Sequence, residues 1–335
     1  MNRPRLGFLG VGWIGRHRLE AVAKANTAEI VVLADATAEN LAGAGTLAPN
    51  AEQVSTLDEM WRQEMDALVI ATPSALHAEQ TVAALERGIA VFCQKPLART
   101  GKEVSRIVTV AREADRLLGV DLSYRYVQGL QAIRDLVLQQ ALGDLFAADL
   151  VFHNAHGPGK PWFYDRALSG GGCVIDLGIH LVDLALWIFH SKVTDVSSCL
   201  MAEGRRLPSG AQAIEDYATA RLEFASGAVA NIACSWRLHA GQEAVIEASF
   251  YGTEGGATLR NIEGSFTEFR AEHFTGTQRQ LLAEPPDAWG GGAILAWIER
   301  LKESSRYDPA IEQHEEVARI IDAIYGHPPV STEQL

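Results

Sequence analysis

A chain of 335 residues is long enough for two domains with a core each, because a domain commonly takes roughly 100–200 residues. Hydrophobic residues make up 47% and charged residues 21%, the balance of an ordinary globular protein rather than a disordered or fibrous one. Acidic residues outnumber basic ones by 42 to 29, and the formal charge of −13 argues against nucleic acid or an anionic membrane as a partner. Cys93, Cys173, Cys199 and Cys234 are far apart with no C-x-x-C spacing, so neither a metal site nor a disulfide framework is expected, and reduced thiols fit a cytoplasmic setting. The apolar start of the chain is glycine-rich and runs into Arg16, His17 and Arg18, which reads as a strand and turn rather than a leader. No uninterrupted apolar run reaches the roughly 18 residues of a membrane helix.

The first part of the chain alternates strand and helix. Short apolar runs lie at Leu6–Leu9, Ile30–Ala34, Ala67–Ala71, Ile89–Phe92 and Leu117–Leu122, and helical spacing covers Trp13–Ala25, Ala75–Arg87 and Lys102–Arg116. Apolar strands separated by helices suit a parallel sheet covered on both faces, and right-handed crossovers make it doubly wound. Past about residue 122 the pattern changes. Helices are predicted over Leu130–Gln140 and Val174–Phe189, then strands over Val193–Met201, Asp216–Phe224, Ala228–Trp236, Ala244–Tyr251 and Ala257–Asn261. Turn dipeptides such as Ser226-Gly227 and Gly255-Gly256 break these runs, so the second sheet is mostly antiparallel and open, in an α+β domain. Helical spacing returns at Ile294–Lys302 and Glu312–Tyr325. The chain is thus read as α/β, with domains at 1–122 and 123–335.

The segment from Leu6 to Gly15 is a strand running into G-x-G-x-x-G at Gly10, Gly12 and Gly15, with Trp13 and Ile14 opening the helix. Such a turn lets the backbone approach a pyrophosphate, and the free N–H groups and dipole of the helix start attract it. Asp35 ends the next strand, twenty positions after Gly15, where a carboxylate accepts the hydroxyls of an adenosine ribose. A carboxylate there repels a 2′-phosphate, and Ala36-Thr37 offers no arginine, so NAD is expected rather than NADP.

Two further segments point to chemistry. Lys95-Pro96 follows a predicted strand at the carboxyl end of the parallel sheet, where ligands bind in such folds, and a lysine there can stabilise an alkoxide. The block Gly170-Gly171-Gly172-Cys173-Val174-Ile175-Asp176-Leu177-Gly178-Ile179-His180 reads as a flexible glycine loop entering a helix, with Asp176 and His180 four apart on one face. Histidine suits proton removal from a secondary alcohol, because its pKa lies near neutrality.

With these motifs the chain resembles the Gfo/Idh/MocA family (glucose–fructose oxidoreductase, inositol dehydrogenase, rhizopine catabolism). The resemblance also rests on Thr72-Pro73-Ser74 with His77, and on Asp183 after the glycine block. It implies a Rossmann domain followed by an open antiparallel sheet, homodimers or homotetramers, and hydride transfer on a sugar, cyclitol or related polyol. It further implies that Lys95 is the catalytic lysine, His180 the acid/base and Asp176 its partner, with Thr72, Pro73 and His77 along the cofactor. Two other readings share the resemblance: a glycoside hydrolase that uses transient oxidation, and a cofactor sensor without catalysis. The family pattern is Glu-Lys-Pro, and Gln94 stands here in place of the glutamate.

Substrate contacts are expected from Arg125 and Tyr126 after the last parallel strand, from His153 in a polar loop running to Lys160, and from Trp162 before the glycine triplet. Trp236-Arg237 and Asp287-Ala288-Trp289 are read as structural. No metal is expected.

Overall fold

The structure is a computed structural model that describes residues 3–208, 210–287 and 290–326. It divides into two compact units, Met1–Ser123 with Gly290–Glu315, and Tyr124–Trp289 with Glu316–Leu335.

The first unit runs β1 (Arg5–Leu9), α1 (Trp13–Ala25), β2 (Glu29–Ala34), α2 (Ala38–Gly45), β3 (Glu52–Val54), α3 (Leu57–Met60), β4 (Ala67–Ile70), α4 (Ser74–Leu85), β5 (Ala90–Gln94), α5 (Gly101–Glu113) and β6 (Leu118–Asp121). Its six strands are parallel in the order β3-β2-β1-β4-β5-β6. The order reverses between β1 and β4, and the carboxyl ends of strands at such a switch point form the ligand-binding edge of doubly wound sheets. β4 and β5 are buried along their whole length, which is why they read as unbroken apolar runs. β3 and α2 went unpredicted. β3 is a three-residue edge strand with two exposed residues, and α2 is largely alanine and glycine, so neither carries a readable apolar period.

The helix Gly292–Glu303 corrects the expected division, which placed it in the second domain. Its Ile294, Trp297, Ile298 and Leu301 join Leu6, Phe8, Phe92 and Leu117 in the core of the first unit. The Trp297 ring lies 5.4 Å from Phe92, over Gly119, where any Cβ would overlap the indole. An amphipathic period predicts a helix, but it does not say which core receives the apolar face.

The second unit is built on a nine-stranded sheet, ordered β15-β14-β13-β12-β7-β11-β10-β8-β9. The strands are β7 (Leu145–Asn154), β8 (Val193–Ala202), β9 (Arg205–Arg206), β10 (Tyr217–Phe224), β11 (Val229–Ser235), β12 (Ala244–Gly252), β13 (Gly256–Asn261), β14 (Phe269–Thr275) and β15 (Gln278–Ala283). β7 and β11 pair in parallel and the other neighbours are antiparallel. β7 went unpredicted, although it runs through the middle of the sheet. In it Ala148, Leu150 and Phe152 face the core, while the residues between them face the other side.

α6 (Gln128–Leu138) and the helix Ile179–Phe189 cover one face of this sheet. The stretch Arg166–Phe189 is long and apolar enough, by length and composition alone, to cross a membrane. It tolerates Asp176, His180 and Asp183 within it, and 78% of its most apolar window is buried in the protein, so it is the central core helix of this unit.

Candidate functional site

In the first unit β1 ends at Leu9 and the chain turns at Gly10, with φ of +84°. A side chain there would strike the Ala71 backbone at 2.6 Å. A Cβ at Gly15 would overlap the Gly10 carbonyl, so these two glycines let α1 start directly against β1. Gly12 is the N-cap of α1 and no side chain caps this start. Trp13, in the first turn, is 71% exposed, and Ile14 sits beside it. The first N–H groups of a helix have no partner inside it, so this end presents donors and the positive end of a dipole. Asp35 lies just beyond β2 and faces the same turn. Its Oδ2 accepts the Val11 N–H at 2.9 Å, and its Oδ1 accepts the Thr37 N–H at 2.9 Å and the Asn40 amide at 3.1 Å. These residues fit a dinucleotide, with backbone donors for phosphates and an oriented carboxylate for ribose hydroxyls.

Thr72 follows β4, and its hydroxyl donates to Gln80 at 2.6 Å; Pro73 is the N-cap of α4. His77, expected along the cofactor, lies in the first turn of α4. It is buried, with Nδ1 2.7 Å from the Pro96 carbonyl and Nε2 2.8 Å from the Thr72 carbonyl. It therefore sits between the loop after β4 and the loop after β5, and its neutral ring donates to one of these two carbonyls. Burial pushes its pKa below the ordinary 6.5, against the pull of the two carbonyls.

Lys95 follows β5 and is half-buried, and the Lys95–Pro96 peptide is cis. Beneath it Gln94 donates to Asp121 Oδ2, which also accepts from Arg18 Nε. Arg18 is 2% exposed and Asp121 1%. The carboxylate absent from position 94 is thus present on the neighbouring strand, neutralised by a guanidinium.

In the second unit a π-helical turn, Val174–Gly178, leads into the helix Ile179–Phe189. The α-helical spacing expected between Asp176 and His180 is therefore widened by this turn, a distortion often found at functional sites. From Cys173 to Ala185 every residue except Asp176 is buried. The Trp236 indole N–H donates to Asp176 Oδ2 at 3.0 Å. His180 packs edge-on to Tyr124 at 4.9 Å, with Phe152 at 6.3 Å, so aromatic walls fix the ring. Glu215 accepts the N–H groups of Gly172 and Val174 at the start of this helix.

The expected substrate contacts fare differently. Arg125 is engaged by Asp183 through Nε at 2.7 Å and through a second bond from Nη2, and it lies 5.9 Å from the Trp187 ring centre. This ion pair offsets the burial that raises the Asp183 pKa. Tyr126 is 37% exposed. His153 is not in a loop but near the end of β7. There it contacts Ser235 at 2.8 Å, stacks on Tyr217, and has its pKa lowered by burial. Strand alternation puts it on the face opposite Phe152, and Phe152 is the neighbour of His180.

Trp162 is half-buried and stacks on Phe163 at 3.9 Å. Phe163 and Tyr164 both meet Trp236 edge-on. This aromatic group stands beside Asp176 through Trp236, a residue read from sequence as structural. A tryptophan ending an apolar strand carries no sign of the carboxylate it will meet. Asp287 accepts the Gln128 N–H at 2.9 Å, while Ala288 and Trp289 lie outside the described residues.

Residues 5–122 match a family profile described as "Oxidoreductase family, NAD-binding Rossmann fold", and residues 130–258 match the GFO/IDH/MocA C-terminal domain. Among curated proteins the chain is 28% identical to 1,5-anhydro-D-fructose reductase of Ensifer adhaerens, over 77% of this chain and 76% of that one. It is 26% identical to D-glucoside 3-dehydrogenase of Escherichia coli (strain K12), over 83% and 82%. Among solved structures, levoglucosan dehydrogenase in complex with NADH and levoglucosan matches with a TM-score of 0.81 at 22% identity, over 96% of each chain, which is a likeness of fold.

Proposed function

The chain belongs to the Gfo/Idh/MocA family of oxidoreductases, and from that premise we propose that it transfers hydride between NAD and a secondary alcohol or ketone of a sugar, cyclitol or related polyol. The observation that carries this reading is the glycine-framed, uncapped start of α1 beside an oriented Asp35. When bound, the nicotinamide supplies a hydride acceptor or donor.

The backbone from Gly10 through Gly12, Trp13 and Ile14 to Gly15 would hold the pyrophosphate, and Asp35 the ribose hydroxyls. Asp35 also favours NAD over NADP, because a 2′-phosphate would face its charge. Thr72 and Pro73 would flank the cofactor, with His77 holding their loop. Lys95 would donate to the substrate oxygen and stabilise negative charge there, while His180 takes the hydroxyl proton. Asp176, fixed by Trp236, would orient His180 and pass the proton outward from the one position between Cys173 and Ala185 that is not buried.

We place the enzyme in the cytoplasm as a homodimer or homotetramer, acting on small molecules rather than nucleic acid or membranes; a monomer in sedimentation at micromolar concentration would contradict the assembly. NADH formation from NAD across inositols, aldoses, sugar acids and linear polyols tests the chemistry, with His180→Ala as control. Turnover on one class, lost in the control, is the expected result. Tight NAD binding with no turnover on any class would contradict it.

A further inference from the structure

A helix that handles a proton needs a fixed starting point, and the start of the central helix is held by two buried residues that the proposed chemistry does not use. Glu215 precedes β10 and is fully buried. Its Oε1 accepts the N–H groups of Gly172 at 2.9 Å and Val174 at 3.0 Å, and its main-chain carbonyl accepts the Cys173 N–H at 3.1 Å. The Tyr325 hydroxyl donates to the same Oε1 at 2.8 Å, and its oxygen takes the Ile175 N–H at 3.3 Å. Four successive N–H groups, at residues 172 to 175, thus end on Glu215 or Tyr325. These are donors of the kind that a helix start leaves without partners.

The glycines here serve this lock rather than a flexible loop. A Cβ at Gly171 would overlap the Tyr325 hydroxyl, and one at Gly172 would overlap the Glu215 carbonyl. Oε2 of Glu215 is buried and has no hydrogen-bond partner among the described residues, so the carboxylate is held by Oε1 alone.

We propose that Glu215, with Tyr325, is a positioning residue that sets the place and rotation of the helix bearing Asp176 and His180. The proposal rests on the reading that those two residues handle the proton. The test compares wild type, Glu215→Ala, Glu215→Gln, Tyr325→Phe and His180→Ala. NADH affinity, kcat and KM are measured well below the melting temperature, together with amide hydrogen exchange at Gly172–Ile175. NADH affinity should be unchanged throughout. Since misplacement by about 1 Å can cost on the order of 100-fold, Glu215→Ala should lower kcat at least ~30-fold, with faster exchange at these amides. Glu215→Gln keeps the accepting oxygen and should stay within about fivefold of wild type, and Tyr325→Phe should fall about fivefold.

If Glu215→Ala does not fold, Glu215→Gln and Tyr325→Phe decide the matter. Wild-type kcat with unchanged exchange in Tyr325→Phe or in Glu215→Ala overturns the proposal, as does a glutamine variant as slow as the alanine one. Wild-type turnover in His180→Ala would remove the underlying reading instead, and a slow Glu215→Ala beside it would show that the two fail separately.

Discussion

The two helices that carry the proposed site residues begin in opposite ways. α1 starts at Gly12 with no side-chain cap, and Asp35 takes the Val11 N–H ahead of it. The central helix of the second unit starts against a buried carboxylate delivered from Glu215. Both ends carry the same dipole and the same donors that a helix leaves without partners of its own. An end kept open is a place for a ligand's phosphate, and an end closed from within is a fastening. The comparison also explains the glycines. Gly10 and Gly15 bring backbone close to backbone, and those at 171 and 172 make room for Tyr325 and Glu215.

The largest expected effect tests how each unit neutralises its buried carboxylate. Asp121 relies on Arg18, whereas Glu215 relies on N–H groups. Removing one member of a buried ion pair strands the other, so Asp121→Ala should cost roughly 3–5 kcal/mol in denaturant unfolding. A loss below about 1 kcal/mol would mean that the Arg18–Asp121–Gln94 group is not the support assigned to it.

Closing the open end is the next test. Gly12 has extended backbone angles that an aspartate can adopt, and an aspartate N-cap would satisfy the donors of α1. Gly12→Asp should leave the melting temperature equal or higher while weakening NAD binding about 100-fold, read by titration, because a fixed carboxylate competes with the pyrophosphate. Unchanged affinity would break the comparison.

Asp35→Ala should weaken NAD about tenfold and narrow its advantage over NADP, since a charge-assisted hydrogen bond contributes roughly 1.5–3 kcal/mol at most. An unchanged preference would take Asp35 out of the site.

The smallest effect concerns His77. Its pKa is lowered in the folded state, so the folded protein favours the neutral ring and the unfolded chain binds the proton more readily. The stability His77 contributes is therefore full above the ordinary value of 6.5 and is lost as pH falls through the folded value. His77→Gln should cost about 1 kcal/mol near neutral pH, from the loss of a carbonyl bond, and the gap to wild type should shrink on acidification. A gap that widens at low pH would contradict the burial argument.

Sequence carried more of the first unit than of the second. Uninterrupted apolar strands and G-x-G-x-x-G are local signals, and β1, α1, β2, β4 and β5 fell close to their predicted places. The proposed site residues Asp35, Lys95, Asp176 and His180 stand where the sequence puts them, just after a strand or within a helical segment. The parts that were missed depend on contacts distant in sequence. β7 carries a histidine and an asparagine at its end, so its last residues passed for a loop. Nothing beside Arg125 in the sequence announces its ion pair with Asp183, 58 positions away. Glu215 and Trp236 show nothing in their neighbours to connect them with a helix that starts some 40 or 60 positions earlier. Gly292–Glu303 read correctly as a helix, but the core it covers lies near the other end of the sequence.

The most direct test of the account measures NADH binding and turnover in the same sample for Lys95→Ala beside Gly12→Asp. The account predicts that Lys95→Ala binds NADH like wild type but turns over at least ~100-fold more slowly, because it loses oxyanion stabilisation alone. Gly12→Asp should fail at binding. Near-wild-type turnover in Lys95→Ala, or a binding loss in it as large as in Gly12→Asp, would contradict the account.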